Sequence, residues 1–313
     1  MEVGLTSQSS GPEGQSELQN GHDDFVDPPD EPASTGRGVD PSWLEWSYDV
    51  YPRIEEEFRA ALETSLDPRG PDVLYELVEE MGLPARSVAV DVGCAEGKHA
   101  FNLAERFDFI VTGIDPVARH IELARAEAGE RASADPEITG LIRFVLGTAE
   151  ALPLDDETVD LIWCRDVLVH VADLERAYAE FQRVLRPNGR VLMYQMFAGD
   201  RLEPREAEWL WRTMGVVSTS ADTARTDGAI AAARLRVDRC LDLGTEWGEW
   251  SEEKSGNGGL RLLRAARLLR DPDRYVAQFG EAAYEIMLGD CLWHIFGMIG
   301  KLNRRVYLLS KIL

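Results

Sequence analysis

Between Val88 and Phe197 the chain alternates short apolar or β-branched runs with segments of helical period, and that alternation admits few folds. "VAVDV", "DFIVTGID", "IRFVLGTA", "VDLIWCRD" and "RVLMYQMF" read as strands. "KHAFNLAERF", "ARHIELARAEAGE" and "DLERAYAEFQRVL" read as helices between them, the last ended by "RPNG". Strands joined through helices run parallel, so an α/β sheet with crossover helices is expected. Upstream, "WLEWSYDVYPRIEEEFRAALE" is aromatic and then helical, with Pro52 suited to a first turn, and "GPDVLYELVEEMG" is a second helix closed by Gly82. Downstream, "EPREAEWLWRTMG", "ADTARTDGAIAAA" and most of 250–300 read as helix, while "RLRVDRCLDLG" and "RRVYLLSKI" read as strands. Helices inserted among the last strands are expected to cap a site.

The 313 residues, 44% apolar, suffice for one large core with a helical cap. Residues 1–40 carry nine acids against one base, Arg37, and almost no large apolar side chains, so they are expected to be a disordered acidic tail. The formal charge of −23 argues against nucleic acid as a partner. The longest apolar stretch is broken by Asp290 and His294, so no integral membrane span is expected. With no signal peptide visible, a cytoplasmic location follows. Cys94, Cys164, Cys240 and Cys291 are widely spaced and read as reduced thiols, and no cluster of ligating residues suggests a metal.

"VDVGCAEGKH", residues 90–99, is the chemical centre of the alternation. A dinucleotide turn needs G-x-G-x-x-G, and counted from Gly93 the third and sixth positions are Ala95 and Lys98. The spacing of a phosphate loop is also absent, and Glu96 would set a carboxylate where an anion should bind. S-adenosylmethionine (SAM) has no pyrophosphate to approach, and its ammonium can face an acid at a strand end. Asp91, Gly93 and Gly97 stand as D-x-G-x-x-x-G, and here the sequence resembles the class I SAM-dependent methyltransferases, with Ala95 in place of a middle glycine.

The resemblance covers roughly residues 85–200 in motif terms. It implies that Asp115, 22 positions after Gly93, binds the ribose and that Pro116 packs on the adenine. "GTAEALPLDDETVDLIWCRDVLVHV" is similar to the adenine-contact segment and fourth strand of the branch that includes quinone-biosynthesis and many small-molecule methyltransferases. Thr148 stands where that family commonly has Asp, leaving the Ala149 backbone and Glu150 as contacts. Cys94 and Ala95 would line the turn, and Arg165 would contribute backbone at the cofactor.

The resemblance implies a Rossmann-like fold of seven strands, mostly parallel with the last antiparallel. The expected layout is a tail over 1–40 and a methyltransferase domain over 41–313, with a helical lid at 41–84, a SAM-binding core at 85–198, cap helices and strand six at 199–303 and a last strand at 304–313. His170, just beyond strand four, is the candidate general base, with Asp166 orienting it, or it serves only local hydrogen bonding. Tyr48 and Tyr51 read as lid residues or as a hydrophobic staple, and Trp209, Trp211, Glu246 and Trp247 as acceptor-pocket candidates or cap core. Arg261, Arg264, Arg267 and Arg270 form a basic helical stretch, either a solvated face or a site for an anionic acceptor or membrane surface. The expected activity is methyl transfer from SAM, giving S-adenosylhomocysteine, to a small natural-product-like acceptor, with O-methylation favoured over N or C. Alternatives are C-methylation of a prenyl or quinone acceptor and a non-catalytic SAM-binding regulator. A monomer or homodimer is expected.

Overall fold

The structure, a computed structural model, describes residues 41–134 and 140–312. The expected acidic tail at 1–40 lies outside the described residues. The chain divides into two compact units, Met1–Ser65 and Leu66–Leu313. In the first, helix α1 (Pro41–Leu62) runs straight through Pro52. The helix therefore starts eleven residues earlier than Pro52 suggested, with Pro41 in the first turn, where a missing N–H costs no helical bond.

The second unit is built on a seven-stranded sheet in the order β3-β2-β1-β4-β5-β7-β6. The strands are β1 (Val88–Val92), β2 (Ile110–Asp115), β3 (Ile142–Leu146), β4 (Val159–Arg165), β5 (Leu185–Ala198), β6 (Leu235–Gly244) and β7 (Leu302–Lys311). Only β7 runs against the rest, pairing antiparallel with both β5 and β6. β1 and β4 are buried almost throughout, which is why they read as continuous apolar runs rather than alternating ones. β6, at the edge, exposes Arg236, Asp238 and Arg239, charges that discourage pairing with another chain.

Helices cover both faces. Against one pack α2 (Val73–Glu80), α3 (Lys98–Phe107) and α4 (Ala118–Ala134), through Leu74, Leu77, Phe101, Leu103, Ile121 and Ala124. Against the other pack α5 (Leu174–Val184) and α7 (Thr223–Ala232), through Tyr178, Phe181, Ala229 and Ile230. Between these two in sequence, α6 (Pro204–Met214) joins the cap. The cap is completed by α8 (Glu246–Ser255), α9 (Asn257–Arg270), α10 (Pro272–Phe279) and α11 (Glu281–Met298).

Two expectations are corrected here. Residues 73–80 are not part of a lid: α2 buries Val73, Leu74, Tyr75, Leu77 and Val78 in the core. "RPNG" does not separate helix from strand; it is taken into β5 as a bulge, with Asn188 at φ 65° and the register jumping from Val159↔Leu185 to Leu161↔Arg190. The four cysteines are unpaired. Among the described residues no helix is long and apolar enough to cross a membrane.

Asp173 caps α5, its side chain accepting from the Arg176 amide at 3.0 Å. Asp173→Ala is expected to cost about 1 kcal/mol. Thermal unfolding would then show a midpoint lower by about 2–4 °C.

Candidate active site

The carboxyl ends of β1, β2 and β4 bring the glycine turn and its acids together. The Gly93 and Cys94 amides donate to Ile114 O at 2.7 and 3.1 Å, and the Gly97 amide donates to Cys94 O at 2.8 Å. Gly93 has φ 72°, and a Cβ there would lie 2.2 Å from Val167 Cγ2, so only glycine fits. Ala95 also takes positive φ, at 45°, and its amide donates to Asp115 Oδ2 at 2.9 Å. The other Asp115 oxygen accepts from the Val117 amide at 2.9 Å and faces His120 Nδ1 at 3.0 Å. Asp115 thus closes the turn, a duty that sequence spacing does not reveal.

Asp91 is 2% exposed, and its Oδ2 has no hydrogen-bond partner. Burial pushes its carboxyl up to about 7, with the Ala100 amide and the Arg165 charge opposing and the Asp115 charge reinforcing. Cys94 is buried and its thiol is held protonated, first by burial and then by the charges of Asp91 and Asp115, so it lines the turn without being reactive. Pro116 is exposed at the end of β2, and Thr148, Ala149 and Glu150 follow β3, which pairs with β2 through Asp115↔Leu146. There Thr148 bridges Ala151, Ala149 is buried, and Glu150 O accepts from Arg176 Nε at 3.0 Å.

Arg165 is held by its side chain. Its Nη1 donates to His99 Nε2, which leaves the imidazole proton on Nδ1, 2.6 Å from Tyr75 Oη. Asn102 Nδ2 also donates to that oxygen at 2.8 Å, and the Tyr75 ring stacks on Trp163 at 4.9 Å. Burial, then the charges of Arg165 and Lys98, lowers His99 to about 3, so it is a neutral acceptor that orients Arg165. The guanidinium lies over the stacked rings of Tyr194 and Trp247, 5.8 and 5.4 Å from their centroids.

Beyond Arg165 lies a cavity of about 200 Å³ whose wall includes Asp166, Tyr194, Trp247, Trp293, His294 and Arg304. Asp166 is held at φ 59°, with its amide donating to Tyr194 O at 2.8 Å and its Oδ1 accepting from the Met196 amide at 3.3 Å. Burial raises its carboxyl, against the opposing charge of Arg165. A strained backbone carrying a desolvated acid in a cavity wall is a mark of a working site. His294 is lowered, by burial and then by Arg261, against the opposing charge of Asp290. Arg304, 3% exposed, donates to Gly297 O at 2.9 Å; a Cβ on Gly297 would lie 2.2 Å from its Nη2, so that glycine lets α11 close over the arginine.

Several expected pocket residues stand elsewhere. His170 is exposed, its Nδ1 donating to Gly215 O at 2.8 Å, and it is not among the side chains lining this cavity, whereas His294 is. Trp211 is core of the cap, packed edge-on behind Trp293 at 6.0 Å. Trp209 packs in the same cap, while Trp247 does line the cavity. Glu246 is taken up by Arg69, accepting from its amide at 3.0 Å, its Nε at 2.6 Å and its Nη2, and this pairing holds its carboxyl below the usual range. Tyr48 and Tyr51 belong to α1 of the first unit and are exposed.

This strand order, with β7 reversed and an acid-closed glycine turn after β1, defines a class I SAM-dependent methyltransferase fold. Residues 90–193 match the family model described as "Methyltransferase domain". Among curated proteins, "Methyltransferase GfsG" of Streptomyces halstedii is 31% identical over 131 residues, 41% of this chain and 45% of the relative. An "O-methyltransferase" of Pyrenophora dematioidea is 27% identical over 187 residues, 56% of this chain and 68% of the relative. The chain spans about half the length of the curated relatives it matches. Among solved structures, a geranyl diphosphate C-methyltransferase from Streptomyces coelicolor A3(2) has the same fold, with TM-score 0.56 and 15% identity over 87% of this chain and 84% of that one.

Proposed function

We propose that this protein transfers a methyl group from SAM to a small-molecule acceptor, most readily to oxygen. The observation that carries the reading is the buried Asp91 carboxylate, whose Oδ2 lacks a partner at the glycine turn. An ammonium satisfies it, and a pyrophosphate would be repelled. Asp115 would hold the ribose hydroxyls, and the segments at Pro116 and Thr148–Glu150 would flank the adenine. Bound there, SAM supplies an electrophilic methyl on a cationic sulfur.

The chain's own residues then have three tasks. Tyr194, Trp247 and Trp293 exclude water and offer flat apolar walls to the acceptor. His99 fixes Arg165 at the junction of the two sites. An acceptor hydroxyl must lose its proton as its oxygen is methylated, and Asp166 and His294 are the cavity groups able to take it. Relatives bearing the name O-methyltransferase support oxygen as the acceptor atom.

The test is calorimetric titration with SAM and S-adenosylhomocysteine, followed by transfer of labelled methyl to phenols, carboxylic acids and prenyl compounds. Binding and label on oxygen are expected. Label on carbon of a prenyl compound would reassign the acceptor. Binding without transfer to any would make the protein a SAM-dependent regulator, and no binding would overturn the reading.

A further inference from the structure

A second concavity, apart from the Asp166 cavity, opens among α9, α10 and α11. Its volume is about 380 Å³, which falls within the range of about 300–1,000 Å³ typical of small-molecule sites. Leu268, Tyr275, Phe279, Tyr284 and Met287 form its apolar lining, and Arg264 and Arg267 complete it.

Two observations point to a ligand. First, α10 buries none of its residues, and Phe279 and Met287 are 61% and 50% exposed, so the rim of the groove is not used by the chain's own core, while Leu268, Tyr275 and Tyr284 at its floor pack in that core. Second, Arg261 on α9 is paired with Asp290, whereas among the described residues neither Arg264 nor Arg267 has a carboxylate partner. In a chain of net charge −23, two unpaired guanidiniums beside an apolar groove are complementary to an anion carrying an apolar tail.

We propose that this groove binds a free amphiphile, an aliphatic chain ending in a carboxylate, with the tail along Tyr275, Phe279, Tyr284 and Met287 and the head on Arg264 and Arg267. The apolar surface is concave, which suits one chain; docking on a bilayer needs an apolar face that can insert. The proposal does not rest on the methyl-transfer reading.

The test uses the full chain and dodecanoate below its micellar range, titrated by calorimetry. One dodecanoate per chain is expected. Dodecanol, without the charge, is expected to bind about tenfold more weakly, and Arg264→Ala with Arg267→Ala to lower dodecanoate affinity by about the same factor. Leu262 and Leu269, exposed and seven residues apart, project from the opposite side of α9. Leu262→Glu with Leu269→Glu should leave dodecanoate binding unchanged, and S-adenosylhomocysteine affinity should be the same in every variant. All four positions are exposed, so these substitutions spare the core. The proposal is overturned by absence of saturable binding, by equal affinity in the double arginine variant, or by sedimentation with anionic phosphatidylserine vesicles that depends on Leu262 and Leu269. A dimeric mass in light scattering, with no dodecanoate uptake, would instead assign the groove to a second copy.

Discussion

Asp115→Ala is expected to lower SAM affinity by more than a factor of about one hundred. Two ribose hydroxyls donating to one carboxylate make charge-assisted bonds of about 1.5–3 kcal/mol each, so losing both removes about 3 kcal/mol or more. The same substitution frees the Ala95 amide, which Asp115 Oδ2 holds at 2.9 Å, and so loosens a turn whose alanine already sits at φ 45°. Asp115→Asn retains an acceptor and should lose less. Calorimetry with all three proteins, alongside circular dichroism to show that the sheet is intact, checks this. Undiminished binding in the alanine variant would remove Asp115 from the cofactor site.

The second large effect concerns Asp91 and pH. Its carboxyl rises from 3.8 to about 7 on folding, so at intermediate pH the folded state binds more protons than the unfolded state. The ligand-free protein should therefore lose stability as pH rises from about 4 to 7, with the full cost present above 7. A shift of this size corresponds to about 2–4 kcal/mol once relaxation of the site is allowed for. Thermal unfolding between pH 5.5 and 8 should show the midpoint of the wild type falling and that of Asp91→Asn falling less. S-adenosylhomocysteine, whose ammonium is proposed to pair with the carboxylate, should stabilise the wild type more at pH 8 than at pH 6. Parallel midpoint curves for the two proteins would show that Asp91 is not the group responsible.

The sheet and the cofactor turn were legible in the sequence because their signals are local. A strand with Asp91 next to its end, a glycine turn and an acid at the end of the next strand lie within 25 residues of chain. The cavity beyond Arg165 was legible only at Trp247 and Asp166, since Tyr194, His294 and Arg304 come from separate elements and join them only after folding. His170 looked right because it follows β4, but its ring turns to Gly215. Glu246 looked available, yet Arg69 lies 177 residues away in sequence and claims it. Trp211 and Trp293 face each other across two helices, and only packing decides which one reaches the cavity. His99 carried a weak signal, a polar residue two places after Gly97 at the start of a helix, though nothing in its neighbourhood names Arg165 as its partner.

The position of β7 has a consequence for the order in which the chain can be completed on the ribosome. β7 is the seventh strand to be synthesised and lies sixth in the sheet, between β5 and β6. Until it emerges, the outer edge of β5 is open and β6 has no neighbour at all. Folding in translation therefore proceeds on the β3-to-β5 side first and finishes by threading the last strand into a prepared slot. During that interval one edge of β5 and both edges of β6 are unpaired, which is the state most open to strand pairing with another chain.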